Sequence, residues 1–203
     1  MPFIADSLDD EDEVLAAIAT ELGSLIEVVG KDKADCLLAP LEELAAVEES
    51  LVREAATASM RAVFDALPAA AAANVAPPLI ARLAQAEWFT SRTTVASLFA
   101  AAYGNAGSSQ EALRQHYAKL STDSTPMVRR AAAQHFGAFV KVIGAEKFVA
   151  ELRDAFEALS RDEQDSVRLL AVDNCVQVAS VLSEAQIKEI VWPVIQGCCK
   201  DKS

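Results

Sequence analysis

The residue types that most often do chemistry are few in this 203-residue sequence. It has two histidines, His116 and His135, and neither has a serine or cysteine partner at the spacing of a nucleophilic motif. Its carboxylates cluster in short segments between apolar stretches, which is typical of a solvated surface rather than a catalytic pocket. Its seven glycines are scattered singly, so no phosphate-binding loop is present. We therefore predict that the chain is not an enzyme and holds no cofactor.

Four cysteines are the remaining candidates for a metal site or a disulfide: Cys36, Cys175, Cys198 and Cys199. None forms a Cys-x-x-Cys pair, and the vicinal pair Cys198–Cys199 has no second pair to complete a zinc site. This usage favours reduced, mostly buried thiols without a metal. The first residues are acidic rather than basic, and no apolar run reaches the roughly 18 residues of a membrane span. We expect a cytoplasmic location, or also a nuclear one.

The charge balance decides which partners the chain can bind. It has 18 Lys and Arg against 30 Asp and Glu, giving a net charge of -12. A nucleic-acid or anionic-membrane binder needs a basic surface to replace counterions, and the longest basic run is Arg129-Arg130. The sequence therefore predicts protein partners, with no nucleic acid and no membrane.

The elements that position these residues follow from an internal repeat. The dipeptides Val52-Arg53, Ser91-Arg92, Val128-Arg129 and Val167-Arg168 lie 39, 37 and 39 residues apart, and Val14 lies 38 residues before Val52. We call the first residue of each an anchor and number positions from it. Positions +0, +4, +8, +11 and +15 form the apolar stripe of a helix, the second helix of each repeat. These stripes are Val14, Ile18, Leu22, Leu25, Val29; Val52, Ala56, Met60, Val63, Leu67; Ser91, Val95, Phe99, Ala102, Ala106; Val128, Ala132, Phe136, Phe139, Ile143; and Val167, Ala171, Cys175, Val178, Leu182.

A second apolar stripe precedes each anchor and predicts the first helix of the pair. Its members are Leu37, Leu41, Leu44; Ala76, Ile80, Leu83; Leu113, Tyr117, Leu120; and Leu152, Phe156, Leu159. A period near 39 fits the HEAT/armadillo class, whose helix pairs bury their apolar faces by stacking. We predict an all-α fold, an α-α superhelix (HEAT-repeat solenoid) of about five stacked helix pairs in one array. The repeats are 1–30, 31–68, 69–107, 108–145 and 146–184, with a partial repeat at 185–203.

Both ends of the predicted array are incomplete. A first-helix stripe recurs at Val191, Ile195 and Cys198, but its second helix would begin near position 206. Residues Met1–Leu8 are too few for a complete first helix at the other end. A segment of a longer array and a short protein both remain open. Open apolar ends would favour self-association.

The loops between paired helices are the predicted partner-binding edge, because equivalent loops of a solenoid line up. Trp88 and Phe89 lie outside both stripes, and an exposed tryptophan is a frequent interface hot spot; local packing is the alternative. The acidic loop residues Glu49, Asp162 and Glu163 belong to the same predicted edge.

Arginines recur at the repeat period and are expected to pair with acidic loop residues such as Glu49 or Asp165. They are Arg53, Arg92, Arg129 and Arg168. Arg130 lies outside this set and is free to contact a partner. Pro126 suits the first turn of its helix, and Thr125 is expected to cap that helix through its hydroxyl.

Several segments together resemble the scaffold (A, structural regulatory) subunit of protein phosphatase 2A. They are Glu11-Asp-Glu-Val14, Pro40-Leu-Glu-Glu-Leu44, Trp88-Phe-Thr-Ser-Arg-Thr93, Thr125-Pro-Met-Val-Arg-Arg-Ala-Ala-Ala133 and Asp162-Glu-Gln-Asp-Ser-Val-Arg-Leu-Leu-Ala-Val172. The resemblance covers essentially the whole chain and is to the family's N-terminal part. It implies an all-HEAT horseshoe without catalytic residues. One departure is Ser124, where many members of the family carry Asp.

The resemblance also implies a function. In that family the interhelix loops of the N-terminal part bind regulatory B-type subunits, and the C-terminal part, expected to be absent here, holds the catalytic subunit. By residue match, the contact positions are Trp88, Phe89, Thr125, Pro126, Met127 and Arg130. The prediction is a non-catalytic scaffold subunit of a serine/threonine phosphatase. The alternative is a HEAT-repeat transport receptor or assembly adaptor that holds another protein.

Overall fold

A computed structural model describes residues 11–199, and this part of the chain contains helices, turns and loops but no β-strand. The fold is all-α and of the HEAT-repeat class, as predicted. The chain divides into two compact units, Met1–Ser109 (unit 1) and Gln110–Ser203 (unit 2). The division lies close to the predicted repeat boundary at 107/108. Within 11–199 no helix has both the length and the apolar composition to cross a lipid bilayer.

Unit 1 contains the first three second helices and two first helices. Its α-helices are α1 (Asp12–Ser24), α2 (Ile26–Val29), α3 (Leu38–Leu44), α4 (Ser50–Ala66), α5 (Ala69–Ala84), α6 (Phe89–Val95) and α7 (Phe99–Tyr103), with 3-10 turns at Lys31–Leu37 and Gly107–Ser109. Gly30 ends α2 with φ +82°, a conformation that glycine adopts without strain. The short loops let α3 and α5 pair with α4 and with α6–α7.

Unit 2 contains the fourth and fifth pairs and one further first helix. Its α-helices are α8 (Gln110–Ser121), α9 (Pro126–Lys147), α10 (Arg153–Ser160), α11 (Asp165–Asp173), α12 (Cys175–Ala179), α13 (Glu184–Gln186) and α14 (Trp192–Cys198), with π-helical turns at Phe148–Leu152 and Ile187–Val191. Gly144 interrupts α9 with φ 78°. The second helix of the fourth pair therefore ends there, and the first helix of the fifth pair follows.

The predicted stripes form the core of the second to fifth pairs. Every first-helix stripe residue is buried, from Leu37 to Leu159. All five second-helix positions are buried in the second, third and fourth pairs, and in the fifth pair only Leu182 is half-exposed. The 39-residue period therefore located both packing faces of each pair.

The stripe of the first repeat was partly wrong. Val14 is 43% exposed and Leu25 is also exposed, whereas Leu15, Ala19 and Leu22 are buried. In the fourth pair, positions such as Ala132 face the first helix of the same pair, where the Tyr117 hydroxyl donates to the Ala132 carbonyl at 2.8 Å. The corresponding helix for α1 would precede Asp12. The predicted segments Met1–Leu8 and Asp201–Ser203 lie outside the described residues.

An aromatic cluster fills the core of unit 2. The Tyr117 ring stacks on Phe139 at a centroid distance of 4.4 Å, and Phe136 stacks on Phe156 at 5.5 Å. Phe148 packs edge-on against Phe136 and Phe156, at 6.3 and 6.1 Å. Burial raises the pKa of the Tyr117 hydroxyl well above its ordinary value, so this group stays neutral and hydrogen-bonded. The cluster joins both helices of the fourth pair to the first helix of the fifth.

Consecutive second helices are joined by buried polar side chains at position +7. In unit 1 the Ser59 hydroxyl donates to the Ala19 carbonyl at 2.7 Å. In unit 2 the Asn174 amide donates to the Ala133 carbonyl at 2.6 Å, and its oxygen accepts from Gly137 N–H at 2.7 Å. Each partner carbonyl belongs to position +5 of the preceding second helix. The sequence analysis did not identify this contact.

Candidate functional site

Each interhelix loop is held by the periodic arginine of the helix that follows it. In all four cases the Nη1 atom donates to the carbonyl oxygens six and five residues earlier. These carbonyls are Val47 and Glu48 for Arg53; Ala86 (2.8 Å) and Glu87 (2.7 Å) for Arg92; Asp123 (2.9 Å) and Ser124 (3.3 Å) for Arg129; and Asp162 (2.8 Å) and Glu163 (3.3 Å) for Arg168. The predicted partners were carboxylates, but the partners that all four share are backbone carbonyls, because the first helix leaves its last carbonyls without helical donors. The loops are therefore fixed rather than mobile connections.

The loop surface of unit 1 is dominated by an aromatic pair. Trp88 precedes α6 and is 74% exposed, and Phe89 is the first residue of α6 and is also exposed. Both lie outside the core, as their positions between the stripes indicate. The Thr90 hydroxyl donates to the Ala46 carbonyl at 3.1 Å and so joins this loop to the preceding one. A large apolar side chain is thus presented to solvent on a fixed loop.

Glu49, the predicted partner-binding acid of unit 1, has a local structural role. Its carboxylate accepts a hydrogen bond from the Leu51 backbone N–H at 3.2 Å and caps α4. This hydrogen bond, with that from the Ser50 hydroxyl, lowers the pKa of Glu49. The carboxylate is therefore ionised and oriented by its own helix.

The two loops of unit 2 are joined by an ion pair. Arg129 Nε and Nη2 donate to the two Asp162 carboxylate oxygens at 2.6 and 3.1 Å, and Nη2 also reaches Glu163 at 3.1 Å. The Asp162 side chain is only 6% exposed. Burial alone would raise the pKa of Asp162, but hydrogen bonds from Arg129 and from Gln164 N–H outweigh it and lower the pKa. Asp162 therefore positions the loop, and Glu163 remains exposed beside it.

The start of α9 supplies the outward-facing residues of unit 2. Pro126, Met127 and Arg130 are exposed, and Pro126 occupies the first turn as predicted. The predicted cap was wrong: the Thr125 side chain makes no capping hydrogen bond, and its backbone N–H donates instead to Asp123 Oδ1 at 2.8 Å. An Asx turn therefore prepares the helix start.

Two exposed leucines were missed by the sequence analysis. Leu51 lies at position -1 of the second pair, as Met127 does in the fourth, and Leu169 lies at position +2 of the fifth pair, as Arg130 does in the fourth. Their positions relative to the anchor were the available signal. Positions -1 and +2 share one outward face of each second helix, because residues three apart are neighbours on a helix.

The predicted site residues thus fall into two sets. Glu49, Trp88 and Phe89 belong to unit 1, and the other predicted contact residues, from Thr125 to Glu163, belong to unit 2. Throughout 11–199, no three His, Cys, Asp or Glu side chains meet in an arrangement that could hold a metal ion. The arrangement offers fixed loops with apolar and charged side chains, which suits recognition of another protein.

Acidification tests the Arg129–Asp162 pair. The folded-state pKa of Asp162 is lowered below its ordinary value of 3.8, so the pair contributes stability above that pH which is lost as the pH falls through the folded-state pKa. We expect Asp162→Asn to lower the free energy of unfolding by about 2 kcal/mol at pH 7. The difference from the unsubstituted chain should shrink towards pH 2 in urea titrations. Glu184→Gln, which removes an exposed ion pair with Lys188, should have little effect; an equal loss in both variants would contradict the assignment.

Comparison with known proteins adds three relatives and one family. Residues 113–143 match the HEAT repeat family. The chain is 41% identical over its full length to a protein phosphatase PP2A regulatory A subunit of Schizosaccharomyces pombe, and spans 35% of that protein. It is 40% identical over 95% of its length to a probable serine/threonine-protein phosphatase PP2A regulatory subunit of Caenorhabditis elegans, spanning 33% of it. It is 48% identical over 70% of its length to the beta isoform of the 65 kDa regulatory A subunit of serine/threonine-protein phosphatase 2A from Rattus norvegicus, spanning 24%. The chain therefore spans about a third or less of these relatives.

Proposed function

We propose, from the premise that this chain belongs to the family of protein phosphatase 2A regulatory A subunits over the part that it shares with them, that it is a non-catalytic scaffold binding regulatory B-type subunits through its interhelix loops. The observation that carries this proposal is Trp88, which is 74% exposed on a loop held by Arg92. A solvated tryptophan on a rigid backbone costs little conformational entropy when it is buried by a partner.

The loop geometry supports this proposal beyond the family relation. Binding energy concentrates in a few large or charged side chains that a fixed backbone presents. Unit 1 offers Trp88 and Phe89, and unit 2 offers Met127, Arg130 and Glu163. Each arginine that holds a loop reduces the ordering that binding would otherwise require. Several moderate contacts on separate loops then hold the partner together, and cytoplasmic or nuclear location remains a prediction.

The residues divide into contact and positioning roles in this proposal. Trp88, Phe89, Thr125, Pro126, Met127, Arg130 and Glu163 contact the partner. Glu49 and Asp162, which the sequence analysis grouped with them, act by fixing the helix cap and the loop on which the contact residues lie. The loops carry no proposed contact with the catalytic subunit.

The decisive variant is Trp88→Ala, tested by calorimetric titration with a purified B-type subunit. We expect a loss of about 2 kcal/mol, roughly a thirtyfold rise in Kd. The chain supplies a matched control in Trp192→Ala, because Trp192 is 55% exposed but lies on α14 rather than on an interhelix loop. Circular dichroism should be the same for both variants. An unchanged Kd for Trp88→Ala, or an equal rise for Trp192→Ala, would refute the loop proposal.

The same titration with Arg130→Ala tests unit 2 separately. Its matched control is Lys141→Ala, an exposed cation on the same helix α9. Affinity should fall for Arg130→Ala and the salt dependence of binding should weaken, whereas Lys141→Ala should leave both unchanged. Equal effects of the two variants would show that net charge rather than the Arg130 position matters.

A further inference from the structure

The packing between the fourth and fifth second helices defines a recurring contact face. Ala133, Gly137 and Val140 occupy positions +5, +9 and +12 of the fourth pair and are all buried. The following second helix covers them, with Asn174 hydrogen-bonded to the Ala133 carbonyl and the Gly137 N–H. In unit 1, Ala19 and Gly23 meet Ser59 at the same positions. Positions +5, +9 and +12 are therefore where a second helix receives the next one.

The fifth pair presents this face uncovered. Its residues at positions +5, +9 and +12 are Val172, Val176 and Ala179. Val176 is 79% exposed, and the other two are half-buried. Next to them, Ile195 and Cys198 on α14 are half-exposed, although the equivalent first-helix residues Phe156 and Leu159 are fully buried. We call the five residues Val172, Val176, Ala179, Ile195 and Cys198 the end face.

We propose that the end face binds one amphipathic α-helix of a partner protein. The argument is continuity with the packing already seen in unit 2: a single helix would cover Ile195 and Cys198 with its stripe and would lie along Val172, Val176 and Ala179. At the place of Asn174 this helix carries a small hydrogen-bond donor, Asn or Ser, which reaches the Val172 carbonyl. The inference does not rest on the interhelix loops and is independent of the proposed function.

A second copy of this chain fits the end face poorly. The helix that it would offer in head-to-tail association is α1, whose first-helix side includes the exposed Val14. At position +7, where the fifth pair has Asn174, α1 carries the exposed Glu21. Docking would bring the Glu21 carboxylate to the Val172 carbonyl, and because both groups are hydrogen-bond acceptors, the buried carboxylate would lack a donor, which is costly. Glu21 therefore opposes the self-association that the open ends predicted.

A labelled peptide tests the end face on the intact chain. The probe is the sequence of residues 166–183, the chain's own fifth second helix, held helical by a side-chain lactam between the exposed positions 169 and 173. Fluorescence anisotropy should show saturable binding. Val176→Glu in the chain should weaken binding at least tenfold. Leu169→Glu is the matched control, because Leu169 is exposed on the same second helix but faces away from the end face.

Three results would overturn the proposal. They are absence of peptide binding, equal affinity of the Val176→Glu and Leu169→Glu chains, and concentration-dependent self-association in sedimentation that Val176→Glu abolishes, since a second copy would then be the occupant. Replacement of the peptide's own Asn174 by Leu should weaken binding several-fold. Equal binding of that peptide would contradict the assigned hydrogen-bond donor.

Discussion

Phe136→Ala is expected to remove about 3–5 kcal/mol from the free energy of unfolding of unit 2. The Phe136 ring is buried and lies in contact with Tyr117, Phe148 and Phe156 at centroid distances of 5.9, 6.3 and 5.5 Å. Truncation removes the transfer free energy of the ring, leaves a cavity between two helix pairs, and breaks three aromatic contacts. Because the neighbouring rings are themselves held by other contacts, the cavity cannot collapse fully.

The two tryptophans allow this effect to be assigned to one unit. Trp88 lies in unit 1 and Trp192 in unit 2, so urea unfolding in a Trp88→Phe background is reported by Trp192 alone. The control is Met127→Ala on the same helix, which should change stability by less than about 0.5 kcal/mol because Met127 is 58% exposed. A loss below about 1.5 kcal/mol for Phe136→Ala would show that the cluster is loosely packed.

Periodicity predicted the packing within each helix pair well. Stripes such as Val128, Phe136 and Phe139 are buried because the two helices of a pair meet along faces of large apolar residues, which a repeat of 39 makes visible. The first repeat differed because α1 has no first-helix partner among the described residues, so Val14 is exposed although it keeps the repeat position. Burial depends on what covers a side chain as well as on its type.

The contacts between pairs could not be read in the same way. Ser59, Asn174 and Gly137 look like surface residues in a sequence, because polar side chains and glycine carry no apolar signal. They are buried here since two helices approach closely enough for a side chain to reach the neighbouring backbone. The arginines were recognised as periodic, but their carbonyl partners were not, because a backbone acceptor leaves no trace in residue type.

The candidate site was predicted in position more than in role. Exposure of Trp88 and Met127 followed from their places between stripes. The ion pair of Asp162 with Arg129 did not, since its partners are 33 residues apart and the loop conformation brings them together. Which exposed residues contact a partner remains a prediction that the titrations above address.

Gly137→Ala is expected to destabilise unit 2 by about 2–4 kcal/mol, although alanine is the better helix former. Propensity alone would stabilise α9 by about 1 kcal/mol. A Cβ at this position would lie 2.5 Å from Asn174 Oδ1 and 2.7 Å from Gln177 Cβ, well inside contact distance. The helices must therefore separate, which lengthens the 2.7 Å hydrogen bond from Gly137 N–H and the 2.6 Å bond to the Ala133 carbonyl. Leaving the buried Asn174 amide poorly bonded exceeds the gain in propensity.

A matched glycine separates the two effects. Gly197 lies in α14 of the same unit, without a positive φ and with no atom within 4 Å of the position that a Cβ would occupy. Gly197→Ala should therefore raise the free energy of unfolding by up to about 1 kcal/mol. Urea unfolding followed through Trp192 measures both variants. Opposite signs for the two substitutions are the expected outcome, because close approach of second helices acts at Gly137 alone; stabilisation by both would mean that α9 and the fifth pair do not pack as closely as the Asn174 contacts require.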